Sequence, residues 1–401
     1  MKHDNELVID ADGHILEPPD MWEKYLEPGY RDRAIRIRQG DGGWEFLEVD
    51  GHPSKYIAKG MLGRISCMGT KMQETNRRRE EWVANGRKGL VPFVAVTPDE
   101  TYIKGAGRGT TDPKERMERM DSEGLDKVVL YPTLGLTWEI ETRDVELSQA
   151  YCRAYNRWIV EFCANSGGRL VPIAHLSMGD PKAAAAELQR AVKAGCKGAF
   201  VAPLSITGKS HGHPDNDPVF AAAQDLDVPI GIHPTFEPSE WIFTRFDRIK
   251  GPEGLWFSYM VSNNSTIQAF TSLFAYGVVD KFPKLRLVIL ESGAGWIGAW
   301  LDRADAVFTS TLIGGGVPLA EKPSYYFKRQ CFISGDPDEM LISHIADYVG
   351  HDKFLWGSDF PHADHSANYM DELWELTEQM TPAARRGILG ENVASAYKLK
   401  S

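Results

Sequence analysis

Nowhere in the 401 residues is there an uninterrupted apolar run of the ~18 residues that a bilayer-spanning helix requires, so no segment is a candidate membrane span. The opening, MKHDNELVIDAD, lacks the apolar stretch and small-residue cleavage site of a secretory leader, and a cytoplasmic protein is expected. Basic charge is also scarce: 45 Lys and Arg stand against 56 Asp and Glu, a formal net charge of −11. A nucleic-acid partner would need Lys and Arg gathered on one face; the balance here mainly favours solubility. Cysteine is sparse, with Cys67, Cys152, Cys163, Cys196 and Cys331 widely spaced and no C-x-x-C pair. That pattern excludes a disulfide framework and a thiolate metal site. None of these cysteines has the neighbouring His or helix start that would make it a nucleophile. Internal repeats and low-complexity tracts are missing too. What remains is ordinary globular usage, 42% hydrophobic and 25% charged, in a chain long enough to bury a large core.

Short β-rich apolar runs alternate with amphipathic stretches, the pattern of a parallel sheet covered by helices. Eight runs stand out, at residues 7–12, 127–132, 170–175, 198–203, 229–233, 285–291, 331–334 and 354–359. They are nearly continuous in apolar residues, as expected for strands buried on both faces, and eight is a number that closes a barrel. Residues 145–166, 181–194, 218–226, 267–282, 296–309 and 370–380 carry apolar side chains at three- and four-residue spacing and are read as the outer helices. Residues 382–397 should form a helix that closes the barrel after the last strand. The expectation is one (β/α)8 TIM-type barrel spanning residues 1–401. Residues 18–110 break the alternation and are read as an insertion over the barrel mouth, with a hairpin pairing residues 44–49 with 56–58 across Gly51. A second excursion, residues 236–266 between strands five and six, holds Trp241, Phe243, Phe246, Trp256, Phe257 and Tyr259 and is read as an aromatic lid.

In such a barrel the active site is built from the C-terminal ends of the strands. Strand one ends Asp10-Ala11-Asp12-Gly13-His14, and alternation puts Asp12 and His14 on one side, with Asp10 in phase. Strand five ends at His233, strand six at Glu291, and strand eight at Asp359. Each has a plain structural role open to it: His233 as a satisfied core histidine, Asp12 as a cap, Asp359 as a turn residue, Glu291 as a helix-start partner. Jointly, two imidazoles and three carboxylates at four strand ends would bury like charges that a cation reconciles. Asp12, His14, His233, Glu291 and Asp359 are therefore the expected ligands of one or two divalent ions. Nitrogen and oxygen donors suit zinc, manganese or iron.

These residues sit in segments that resemble a known family. IDADGHILEPPDMWEKYL, RMERMDSEGLDKVVLYPT, VPIGIHPT, LESGAGW, FLWGSDFPHAD and ENVASAYKL all resemble the amidohydrolase superfamily, within it amidohydrolase family 2, the branch of aminocarboxymuconate-semialdehyde and resorcylate-type decarboxylases. The resemblance implies a distorted barrel, a catalytic divalent metal, and a strand-eight Asp touching metal and reacting water or substrate. It places Asp12 and His14 at the paired strand-one ligand positions, His233 at strand five and Asp359 at strand eight. Two departures stand out. Asp12 occupies a position that is often His, which hardens the ligand field towards manganese or iron, and Glu291 stands where many members carry a strand-six His.

His175, ending strand three, and His362, just past Asp359, are further candidates for acid–base roles beside Asp359 and Glu291; His365 is a weaker one. A core histidine and loop histidines are the plain alternatives. Arg64, Arg245 and Arg248 could bind a substrate carboxylate. Lys197 precedes strand four, at the wrong end to bridge two metals. The expected chemistry is hydrolysis of an amide, ester or thioester: the ion lowers the pKa of a bound water, Asp359 takes its proton, and the hydroxide attacks a carbonyl. The alternative is non-oxidative decarboxylation of an aromatic or unsaturated carboxylic acid. The resemblance favours decarboxylation, whereas Glu291 in place of an imidazole favours hydrolysis. A non-catalytic barrel is the third possibility. The expected partners are a moderately large, partly apolar small molecule and a second copy of the chain, with neither nucleic acid nor membrane.

Overall fold

The computed structural model describes residues 6–68, 72–88, 97–237, 242, 243, 249 and 251–400. Its strands are β1 (Ile9–Ile15), β2 (Arg36–Gln39), β3 (Glu45–Val49), β4 (His52–Pro53), β5 (Lys127–Pro132), β6 (Leu170–Pro172), β7 (Ala174–His175), β8 (Ala199–Val201), β9 (Pro229–Ile232), β10 (Arg286–Ile289), β11 (Cys331–Gly335) and β12 (Phe354–Trp356). Two parallel arcs, β1-β5-β6 and β7-β8-β9-β10-β11-β12, make the barrel. β6 and β7 are halves of one stave interrupted at Ile173, the first pairing with β5 and the second with β8. Counted as one, they complete the eight staves read from the sequence. The last gap closes outside regular ladder pairing: Asp359 N–H donates to the Asp12 carbonyl at 2.8 Å and His14 N–H to the Phe360 carbonyl at 2.7 Å. The seam between first and last strand thus runs through the very residues the sequence singled out.

Side-chain alternation divides the core. Ile9, Ala11, Val129, Tyr131, Val171, Ile173, Phe200, Val288, Leu290, Phe332 and Leu355 pack together with Val393, Ala396 and Tyr397 of the C-terminal helix, while the alternate residues Val128, Leu130, Leu287, Ile289, Phe354 and Trp356 belong to the cluster that meets the helices. The barrel interior is therefore apolar, and the C-terminal helix lies against it, with Tyr131 and Tyr397 sharing a hydroxyl hydrogen bond of 2.7 Å. Polar chemistry is left to the other end. Outer helices begin where Asp-Pro or Asp-x-Glu signals stand. Asp112, Asp144 and Asp180 each accept two backbone N–H groups at the start of their helices, satisfying donors that a helix cannot bond internally.

Three local expectations are corrected. The hairpin pairs β3 with His52–Pro53 rather than with residues 56–58. Asp50 and Gly51, at φ 53° and 76°, form a two-residue turn of the kind whose central residues are both left-handed, and it reverses the chain at once. Residues 267–282 split into helices Asn263–Ala275 and Val278–Lys281 at Gly277. The closing helix contains a π turn, Gly387–Glu391, between Pro382–Arg386 and Asn392–Tyr397. Among the described residues no helix is long and apolar enough to cross a membrane.

Candidate functional site

Strand β1 is buried along its whole length, yet it does not alternate simply. Its register against β5 slips between Asp10 and Gly13, an extra residue of the bulge type that re-aims side chains. Asp10 consequently belongs to the seam: its carboxylate accepts Asp12 N–H at 3.0 Å, Ser358 N–H at 3.1 Å and Ser358 Oγ–H at 2.6 Å. Burial pushes the Asp10 carboxyl up to about 6 despite those hydrogen bonds and the nearby Arg116. The in-phase placement of Asp10 beside His14 is thus corrected by the bulge, while Asp12 and His14 do converge, with Oδ1 and Nε2 at 3.5 Å.

His14 Nδ1 lies 2.7 Å from the Pro132 carbonyl and His233 Nδ1 2.7 Å from the Pro234 carbonyl. A carbonyl only accepts, so each Nδ1 carries a hydrogen, and Nε2 is the ring nitrogen turned to the site, where it would offer a lone pair to an ion. Those Nε2 atoms face each other at 3.3 Å. Asp12 Oδ1 is 3.3 Å from His233 Nε2 and has no hydrogen-bond donor, although it is buried. Asp359 Oδ1 stands 2.9 Å from His14 Nε2, and Glu291 Oε2 3.5 Å from His233 Nε2. Facing lone pairs and an unsatisfied buried carboxylate oxygen are costly unless a positive charge lies among them. Burial alone would discharge His14, but Asp359 and Asp12 hold its protonated form well above the ordinary histidine range. The same carboxylates favour a metal ion there, and the donor set fits a divalent cation.

Asp359 ends the last stave with φ 52°, and Glu291 follows β10 with φ 39°. Both are non-glycine residues held in the left-handed region, a strain that surrounding structure must impose. Three imidazoles surround the Asp359 carboxylate: His14, His362 Nδ1 at 3.0 Å and His365 Nδ1 at 2.7 Å. Burial opposes its charge, but His362, His365 and His14 outweigh burial and keep the carboxyl well below the usual range. His362 is held in turn by Thr133 Oγ1 at 3.0 Å from its Nε2. Glu291 goes the other way, pushed well above the carboxylate range first by burial and then by the charge of Asp359. His365 also reaches Asp336, 3.6 Å from its Nε2, and lines a cavity of about 230 Å³ with Tyr259, Asp336, Asp364 and Tyr369.

The structure thus brings together Asp12, His14, His233, Glu291, Asp359, His362 and His365. His175 is placed apart, buried with its Nε2 2.6 Å from Glu139 and its ring stacked on Phe200. Arg64 is buried and donates to Glu100 at 2.6 Å and to Thr75 at 3.3 Å, so its guanidinium is engaged within the protein rather than presented to a substrate carboxylate. In the lid segment, Phe243 stacks on Phe257 and Tyr259 Oη donates to Asp364 at 3.1 Å. Trp256 points outward, 67% exposed. Trp241, Arg245, Phe246 and Arg248 lie outside the described residues. The sequence reading missed Thr133, Glu139 and Glu17. The available signal was an acid within a buried apolar stretch for Glu139, and an acid three residues past His14 for Glu17.

With this geometry established, a family model described as Amidohydrolase matches residues 9–399. The chain belongs to the amidohydrolase family. It is an enzyme of that superfamily, as the resemblance implied. A gamma-resorcylate decarboxylase from Polaromonas sp. is 25% identical over 325 residues, 77% of this chain and 94% of the relative. A solved amidohydrolase from Mycobacterium avium subsp. paratuberculosis superposes with a TM-score of 0.79 at 21% identity, covering 98% of this chain and all of the other. A dihydroxybenzoic acid decarboxylase from Polaromonas sp., solved with bound manganese and 2-nitroresorcinol, superposes at 0.63 and 18% identity, covering 98% of this chain and 97% of the other. At those identities the structural likeness speaks for the barrel. The expectation of hydrolysis is corrected by the relatives, which are named decarboxylases.

Proposed function

We propose that this chain is a divalent-metal-dependent, non-oxidative decarboxylase of an aromatic carboxylic acid. The observation that carries the reading is the buried donor set of Asp12, His14, His233 and Asp359, with Asp12 Oδ1 unsatisfied, in a chain related over most of its length to gamma-resorcylate decarboxylases. Asp12, His14 and His233 would hold the ion, with Asp359 beside it. When bound, the ion would supply positive charge that fixes a substrate carboxylate and a neighbouring oxygen and draws electrons from the ring. Asp359, held charged by His14, His362 and His365, relays a proton from the protonated His365 to the ring carbon bearing the carboxylate. The carbon–carboxylate bond then breaks, its electron pair returns to the ring, and carbon dioxide leaves; one proton is consumed per turnover. His365, 20% exposed and 2.7 Å from Asp359, is the route by which that proton is replaced from solvent. On the same reading residues 18–110 cover the mouth. In support, Met68 N–H donates to the Pro361 carbonyl at 3.2 Å, one residue from His362, and Leu16 N–H to the Thr110 carbonyl at 2.8 Å.

The test is a panel of hydroxylated benzoic acids incubated in D2O with manganese-loaded protein. Carbon dioxide should appear in proportion to substrate lost, with one deuterium at the vacated ring position. A panel from which no acid yields carbon dioxide refutes the proposal.

A further inference from the structure

Glu17 has no place in the reaction as described, yet it is fully buried, and its carboxylate accepts three backbone N–H groups of one turn: Thr133 at 3.2 Å, Leu134 at 2.9 Å and Gly135 at 2.7 Å. A carboxylate so buried is costly unless fully hydrogen-bonded, and three convergent N–H donors meet that need. The turn cannot move far, because a Cβ on Gly135 would stand 2.6 Å from Pro132 Cβ and 3.2 Å from Glu17 Oε1. Two atoms of this clamped segment face the metal centre. The Pro132 carbonyl takes the Nδ1 hydrogen of His14 at 2.7 Å, and Thr133 Oγ1 meets His362 Nε2 at 3.0 Å. Glu17 itself is tied down from the insertion, since Tyr102 Oη donates to its carbonyl at 3.1 Å.

We infer that Glu17 is a positioning residue of the metal centre: by holding the turn 132–135 it sets the ring orientation of both His14 and His362. The inference rests on the ligand set proposed above, and not on which acid is decarboxylated. Partners that orient a ligating imidazole are worth about 10–100-fold in metal affinity or activity, whereas a merely structural carboxylate would change stability and leave the centre alone.

The experiment loads wild type and Glu17→Gln with Co(II), recording the visible d–d spectrum, and measures the Co(II) dissociation constant by chelator competition, alongside a thermal melt. Glutamine keeps the size but turns an NH2 group towards N–H donors. The expected result is a shifted d–d band and an affinity weaker by about 10–100-fold. A variant with a lowered melting temperature but an unchanged band and dissociation constant overturns the inference. If Glu17→Gln does not fold, Glu17→Asp, which keeps the charge but shortens the reach to residues 133–135, takes its place: a shifted band with weaker affinity supports positioning, and an unchanged band and dissociation constant overturn it. A wild type that takes up no stoichiometric Co(II) overturns the ligand set and this inference with it. Failure to find a decarboxylated acid, with the Co(II) results as expected, would fall on the proposed reaction only.

Discussion

Replacing Gly357 by alanine would place a methyl group 2.5 Å from Asp12 Cβ and 3.5 Å from the Asp12 Cα and carbonyl oxygen. Gly357 is not among the glycines with positive φ, so the cost is steric rather than conformational. Carbon atoms rest at about 3.5–4.0 Å, and the first and last staves would have to part by about an ångström. The seam hydrogen bonds, at 2.8 Å for Asp359 to Asp12 and 2.7 Å for His14 to Phe360, would then stretch past the ~3.2 Å typical of N–H···O bonds. Overpacking costs about 1–3 kcal/mol and two weakened hydrogen bonds about 1 kcal/mol each, for a loss of about 3–5 kcal/mol. Activity should fall further than stability suggests, since a displacement of about 1 Å between catalytic groups costs about 10²-fold, and Asp12 and Asp359 lie on opposite sides of the seam. Gly315→Ala is the control: nothing lies within 4 Å of its added Cβ, and it should stay within about 0.5 kcal/mol of wild type. The assay is urea unfolding of all three proteins together with metal content and turnover. A Gly357→Ala protein with wild-type midpoint and full activity would refute the claim that strand spacing at the seam holds the site together.

Three further outcomes are expected. Asp12→Ala, His14→Ala and His233→Ala should each fold and lose metal affinity by at least about 100-fold; equilibrium dialysis showing full metal in two of the three would discard the ligand set. Glu291→Gln should keep the first ion, because Asp12, His14 and His233 form a donor group without it, while turnover falls by about 10²–10⁴-fold; wild-type turnover would strip Glu291 of any chemical role. The cysteines are all buried, and burial pushes the Cys196 thiol from 9.0 up to about 12. At pH 8 they should react with an aromatic disulfide only after unfolding. Cys152, Cys163, Cys196 and Cys331 hold protons in the native state that the unfolded chain releases from about pH 9, so stability should fall as pH rises from about 9 towards 12. Rapid labelling of native protein, or flat stability across that window, would contradict the burial argument.

How much of this was legible beforehand depends on the range of the interaction involved. Buried staves such as Lys127–Pro132 announce themselves because a strand covered on both faces must be apolar throughout, and the helix starts at Asp112, Asp144 and Asp180 because a cap is a local bond. Asp12, His14, His233 and Asp359 were visible for the same reason: polar residues that end apolar runs are conspicuous, and a barrel gathers strand ends. What the chain alone left open are relations between segments distant in sequence. The bulge that turns Asp10 away from His14 exists only against the register of β5. The three imidazoles around Asp359, the pairing of His175 with Glu139 rather than with the metal donors, and the clamp of Glu17 on residues 133–135 depend on loops crossing the barrel mouth. Sequence spacing carries no record of such contacts. The sequence by itself therefore determined the eight-stave barrel and, through periodicity and residue chemistry, singled out Asp12, His14, His233 and Asp359 as candidate metal donors. Tertiary structure decided which atoms face one another, because the distances of 2.6–3.5 Å among these side chains come only from the closure of the seam and the packing of the loops above it.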